Sequence, residues 1–185
     1  MPPNNKMKTN IIITGFMGTG KTEVGREVAR IMGRKFYDTD EVINLDTGLS
    51  IDDIFKNRGE AYFRKLERDL LRELNLKRNI VISTGGGTFV GNADIENADL
   101  SAIIFCLTAA PEIIMKRILN NRERPLLSRP SPTKIERLLI QRKIFYDAIR
   151  HQVDTSEHSI ADVAREIVSL YMNEISNCGG IKHEY

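Results

Sequence analysis

Between Gly15 and Gly25 the chain reads GFMGTGKTEVG, directly after three isoleucines. Within it Gly15, Gly20, Lys21 and Thr22 satisfy the spacing G-x-x-x-x-G-K-[ST]. Each residue type has a task in that pattern. Glycines let the backbone wrap a phosphate chain so that N–H groups face the oxygens, and a helix N-terminus adds orphan donors and a favourable dipole. Lys21 is placed to neutralise β- and γ-phosphate charge, and the Thr22 hydroxyl to ligate Mg²⁺. Met17, Gly18 and Thr19 complete the loop. A strand before the loop and a helix after it are the context that confirms such a motif, so the chain is expected to hold a nucleoside triphosphate.

What receives the phosphate depends on the groups that face it. Asp38 and Asp40, in YDTD, stand two residues apart at the end of a second apolar run. On an extended segment they share a side, where one can serve the metal and the other a substrate hydroxyl. The alternative is helix capping, with Asp40 as N-cap of the segment that follows. Gly85, Gly86 and Gly87, in STGGGTF, follow a third run and allow backbone donors to approach a ligand closely; a plain turn explains them equally. Arg64, Arg117, Arg124 and Arg142 are weak signals singly, and Arg64 could merely pair with Glu60 or Glu67 along one helix.

These residues need elements to hold them. Candidate strands are Asn10–Thr14, Lys35–Asp38, Asn79–Thr84, Ala102–Leu107 and, more weakly, His151–Thr155. Most are apolar on both faces, as buried parallel strands are. Between them run helical stripes: Val24, Val28, Ile31 and Met32; Phe63, Leu66, Leu70, Leu71 and Leu74; Ile135, Leu138, Leu139 and Ile149; Val163, Ile167 and Leu170. Alternation of this kind predicts βαβ units and a parallel sheet covered on both faces. The polar, proline-containing stretch from about 120 to 134 reads as an exposed lid, with a plain surface loop as the alternative. At 185 residues and 41% apolar content, one domain is expected, over 9–175, with loose ends at 1–8 and 176–185.

Composition removes several function classes. The 27 basic and 25 acidic residues nearly cancel, which argues against capture of nucleic acid or of an anionic membrane. No apolar run approaches a bilayer span, no signal peptide opens the chain, and two unpaired-looking cysteines suit a reducing compartment. A cytoplasmic location is the expectation.

Taken in order, GFMGTGKTEVGREVA, FYDTDEVI, SIDDIF with GEAYFRKLE, ISTGGG, NRERPLL and QRKIFYDAI resemble the shikimate kinase family over roughly Asn10 to Tyr171. The resemblance implies an α/β, three-layer P-loop fold with a five-stranded parallel sheet in the order 2-3-1-4-5, flanked by helices and bearing a mobile lid. It implies ATP-dependent phosphorylation of the shikimate 3-hydroxyl, on the route to chorismate and the aromatic amino acids, by a monomer that uses Mg²⁺. Asp40, Arg64, Arg142 and Gly85 to Gly87 match the shikimate-binding positions, within a segment of about 38–67 and beyond. Glu67 matches a partner that orients Arg64, Phe55 and Phe63 match apolar walls, and Asp38 and Thr22 match the metal positions. Lys21 and Asp40 match catalytic residues, as does Arg124, which reaches the transferring phosphate from the lid. Arg117 matches a position that stacks on adenine.

The departures are local. Where many members carry Arg, Asn or Pro after the last strand to grip adenine, this chain reads VDTSEHS, with Glu157 and His158; Ile144 replaces a proline two residues after Arg142. A gluconate-type kinase sharing the fold is the nearest rival. A nucleotide-dependent switch is the more distant one, and neither N-K-x-D nor D-x-x-G is present to support it.

Overall fold

The computed structural model describes residues 9–90, 101–120 and 131–179. The stretch 1–8, most of the expected lid with Arg124, and 180–185 lie outside them.

Ile11, Ile12 and Ile13 have no exposed surface, because strand β1 (Asn10–Gly15) is the middle of a sheet with helices on both faces. Full burial of one such side chain stabilises the fold by about 1.5–3 kcal/mol. The chain continues through α1 (Lys21–Met32), β2 (Lys35–Asp38), α2 (Thr39–Thr47), α3 (Ile51–Arg58), α4 (Glu60–Leu76) and β3 (Ile80–Ser83). Then follow β4 (Ala102–Thr108), α5 (Pro111–Asn120), α6 (Pro132–Asp147), β5 (His151–Asp154) and α7 (Ile160–Gly179). All four strand pairings are parallel and the order is β2-β3-β1-β4-β5, as expected.

Strand periodicity sorts the core into two layers. Ile12, Ile82, Ile104 and Cys106 face Leu71, Leu74, Ile114, Ile135 and Tyr146 from α4, α5 and α6. Their neighbours Ile11, Ile13, Val81, Ile103, Phe105 and Leu107 face Val24 and Val28 of α1 and Val163, Ile167 and Tyr171 of α7. A third, small cluster of Ile43, Ile54 and Phe63 ties α2, α3 and α4 together beyond the sheet edge. In this order β1 has β3 on one side and β4 on the other, so the chain departs in opposite directions from neighbouring strands. The crevice at their carboxyl ends is where an open parallel sheet takes its ligand.

Several boundaries differ from the pattern-based reading. Ile31 belongs to the expected α1 stripe yet is 38% exposed, while Ala29 and Met32 of the same turn pack against the core. Ile149 lies past the end of α6 but still packs in the same core. Helix α7 runs on to Gly179, beyond residue 176 where a tail was expected. Of the expected lid, Asn120 closes α5, and Ser131 caps α6 with its side chain accepting from the Lys134 N–H.

Candidate active site

The phosphate loop is built by backbone geometry that only glycine adopts. Gly15 ends β1 at φ 137°, and a Cβ there would lie 2.3 Å from the Leu107 carbonyl oxygen of the adjacent strand. The loop then closes on one acceptor. The Phe16 carbonyl takes the Thr19 hydroxyl at 2.8 Å and the Lys21 Nζ at 2.9 Å. Gly20, at φ 88°, turns the chain into α1 without a side-chain cap, so the first turn meets the crevice with its N–H groups. Met17, Gly18, Gly20, Lys21 and Thr22 all line a cleft of about 690 Å³.

Asp38 and Asp40 reach the same cleft, but by a different route from the one the spacing suggests. The extended segment stops at Asp38, so the two do not sit on one face of a strand. Asp38, and not Asp40, is the N-cap of α2; its Oδ1 accepts from the Asp40 and Glu41 N–H groups at 3.0 and 3.4 Å. The other oxygen, Oδ2, accepts the Thr22 hydroxyl at 2.7 Å. Asp38 thus caps α2 with one oxygen and meets the Thr22 hydroxyl with the other, and Asp40 enters the cleft from the first turn of α2.

The glycine turn closes the side of the cleft away from α1. Gly85 donates its N–H to the Thr39 hydroxyl at 3.1 Å, which joins the turn to the start of α2. Every added Cβ in the turn would meet a functional group: Glu67 Oε1 at 2.5 Å from Gly85, the Gly15 carbonyl at 3.3 Å from Gly86, and Arg64 Nη2 at 2.4 Å from Gly87. The glycines are therefore present because polar side chains and the phosphate loop press on the turn from three sides.

Arg64 donates to Glu67, which is only 1% exposed and also accepts the Thr88 hydroxyl at 2.7 Å. Glu60 takes a second contact with Arg64 at 3.1 Å. Burial works against the guanidinium charge, but Glu67 and Glu60 together outweigh it and hold the Arg64 pKa above its ordinary value. Arg142 arrives from α6, donates to the Gly86 carbonyl at 3.0 Å and stacks over Phe16 at 5.9 Å. Arg64 and Arg142 share a cavity of about 220 Å³ against the turn. Two guanidinium groups fixed in this way are the chemistry that pairs with a carboxylate.

At the opposite end, Arg117 on α5 donates to the Thr155 hydroxyl at 2.9 Å and to the Gly18 carbonyl at 3.4 Å. It bridges the main cleft and a neighbouring cavity of about 290 Å³ lined by Thr19, Thr155, His158 and Ile160. His158 lines that cavity; Glu157 does not. Phe55 and Phe63 line neither cleft: their rings meet at 4.9 Å and Phe63 is buried under α4, where it backs Arg64 at 5.4 Å.

Residue types alone do not single out Thr39, Thr88 or Thr155, whose hydroxyls tie the turn and Arg117 in place. Tyr146 went unassigned too, although its position four residues after Arg142 on one helix is a signal. Among the described residues no group of three or more His, Cys, Asp or Glu could cage a metal alone.

With this geometry in view, the comparisons with known proteins agree. The family model for shikimate kinase matches residues 17–172. A shikimate kinase of Caldanaerobacter subterraneus subsp. tengcongensis is 40% identical over 88% of this chain and 96% of its own. The solved shikimate kinase from Acinetobacter baumannii in complex with shikimate superposes with a TM-score of 0.82 at 33% identity, covering 90% of this chain and 94% of that one. A gluconokinase from Sinorhizobium meliloti has a TM-score of 0.64 at 14% identity over 96% of this chain and 99% of that one, a likeness of fold alone.

Proposed function

Because the chain belongs to the shikimate kinase family, we infer that it transfers the γ-phosphoryl group of ATP to the 3-hydroxyl of shikimate. The product, shikimate 3-phosphate, lies on the route to chorismate and the aromatic amino acids. The observation that carries this reading is the adjacency of two cavities: the phosphate loop, Asp40, Gly85 and Gly86 line one, Arg64 and Arg142 line the other, and Arg142 joins them by its bond to the Gly86 carbonyl.

Shikimate binds with its carboxylate between Arg64 and Arg142 and its hydroxyls toward Asp40 and the glycine turn Gly85 to Gly87, whose Gly86 and Gly87 N–H groups are the available donors. ATP lays its phosphates along Gly15 to Thr22, with Arg117 over the base. The acceptor oxygen attacks the γ-phosphorus in line, the bond to the β-phosphate oxygen breaks, and ADP leaves. The transition state of such transfers is loose, so positioning and charge neutralisation contribute more than early deprotonation. Asp40 orients the hydroxyl and takes its proton late. Lys21 Nζ, held beside the loop on the Phe16 carbonyl, offsets charge on the transferring oxygens, and Arg124 adds a second cation from the lid segment.

The Thr22 and Asp38 oxygens, 2.7 Å apart, fit Mg²⁺: they are hard donors, few in number, and leave room for the waters and phosphate oxygens that this ion keeps. Held by these two residues, the ion would supply positive charge that offsets the triphosphate. The enzyme acts as a cytoplasmic monomer, and no helix among the described residues is long and apolar enough to cross a membrane.

ADP release, followed by a coupled assay with and without shikimate, tests the reading. Strong stimulation by shikimate and none by gluconate is the expected result. Equal turnover with gluconate, or ADP formation indifferent to shikimate, would overturn it.

A further inference from the structure

The Gly86 carbonyl receives two donors from one helix face. Arg142 Nη1 reaches it at 3.0 Å, and the Tyr146 hydroxyl, one turn further along α6, donates to the same oxygen. A carbonyl has two lone pairs, so both can be satisfied together. Tyr146 is buried and held at its backbone as well, where Gln152 of β5 donates to its carbonyl at 2.7 Å. By contrast, the N–H groups of Gly86 and Gly87 have no acceptor among the described residues.

We propose that Tyr146 is a positioning residue for the acceptor: together with Arg142 it pins the Gly86 carbonyl toward α6, so the glycine turn holds its shape while the remaining N–H groups of Arg142 engage the acceptor's carboxylate. The proposal rests on the shikimate-binding assignment above. Its physical basis is the planar peptide between Gly86 and Gly87, in which the carbonyl and the following N–H point in opposite directions. A carbonyl pinned toward α6 turns the Gly87 N–H away from α6. Without the tyrosine donor one bond from a long, flexible side chain holds the carbonyl, and the turn gains freedom to rotate. Burial pushes the Tyr146 phenol up to about 12, so its oxygen keeps its proton across the working pH range.

Tyr146→Phe tests this, since it deletes the donor and leaves the ring in the core. The KM for shikimate should rise by up to roughly tenfold, the factor of one lost hydrogen bond. The kcat and the KM for ATP should stay within about threefold. In an Arg142→Ala background, where Tyr146 is the remaining donor to that carbonyl, the same substitution should raise the shikimate KM by a larger factor than in the parent. A shikimate KM unchanged by Tyr146→Phe, or an effect in the Arg142→Ala background no larger than in the parent, would overturn the inference. So would equal rises in both KM values with a lowered Tm, which mark a general loosening. Any of these leaves the kinase assignment standing, whereas loss of shikimate-dependent turnover in the parent refutes that assignment instead.

Discussion

Gly87→Ala is the substitution whose effect can be worked most directly from the structure. The added methyl carbon would lie 2.4 Å from Arg64 Nη2, 2.7 Å from Cζ and 2.8 Å from Nη1. A normal contact needs about 3.5 Å, so the guanidinium must retreat by about 1 Å. It cannot do so freely, since Glu67 and Glu60 hold its nitrogens and Phe63 lies beneath it. Because the clash is with the far end of a flexible side chain, and not with backbone, the fold should survive with a modest fall in Tm. The loss falls on the acceptor's carboxylate. One charge-assisted hydrogen bond is worth about 1.5–3 kcal/mol, which converts to a roughly 10- to 150-fold rise in the KM for shikimate. The KM for ATP should be unchanged, because the three atoms nearest the new methyl all belong to Arg64. Steady-state rates with shikimate varied at saturating ATP, and the reverse, provide the measurement. A shikimate KM within threefold of the parent would refute the placement of Arg64 in the carboxylate site, and an equal rise in the ATP KM would refute the separation of the two subsites.

Asp40→Asn should retain ATP binding, measured by titration, yet lose turnover, because the amide cannot take the hydroxyl proton; a near-normal kcat would remove Asp40 from the chemistry. Arg124→Ala should lower kcat on the order of 10³-fold with little effect on shikimate binding, and Lys should rescue only in part because it lacks the planar fork. A kcat within a few-fold of the parent would exclude that role. Burial raises the Cys106 thiol to about 12 from 9.0 and the Tyr146 phenol to about 12 from 10.0. Both groups hold their protons longer in the folded chain. Their stabilisation is therefore intact below pH 9 and is lost as pH rises, beginning near 9 for the thiol and near 10 for the phenol, up to about 12. The slope is about 1.4 kcal/mol per pH unit for each group. Denaturant melts across this window should show the decline, with a shallower slope in Cys106→Ala; a flat profile would contradict the burial argument.

Local chemistry made much of this protein legible in its sequence. An uninterrupted run such as Ile11–Ile13 can be satisfied only by a strand covered on both faces, and Gly15, Gly20, Lys21 and Thr22 specify a phosphate loop through backbone angles and charge that few other residues supply. Strand periodicity likewise sorted the two core layers, since successive side chains must point to opposite faces. What depends on segments distant in sequence was not readable in the same way. Asp38 became a helix cap and Asp40 its neighbour in the first turn because α2 begins at Thr39, whose hydroxyl accepts the Gly85 N–H from the turn after β3. Phe63 joins α2, α3 and α4 in one small core and lies under Arg64, a placement that packing decides. The reasons for the three turn glycines, Glu67 and Arg64 on α4 and the phosphate loop after β1, lie far from the turn in sequence. Tyr146 acquired its partner only when α6 was laid against a turn 60 residues away. Propensity and motif act over a few neighbouring residues. Which hydroxyl meets which carbonyl is decided by the close packing of elements, and that exists only once the sheet has assembled.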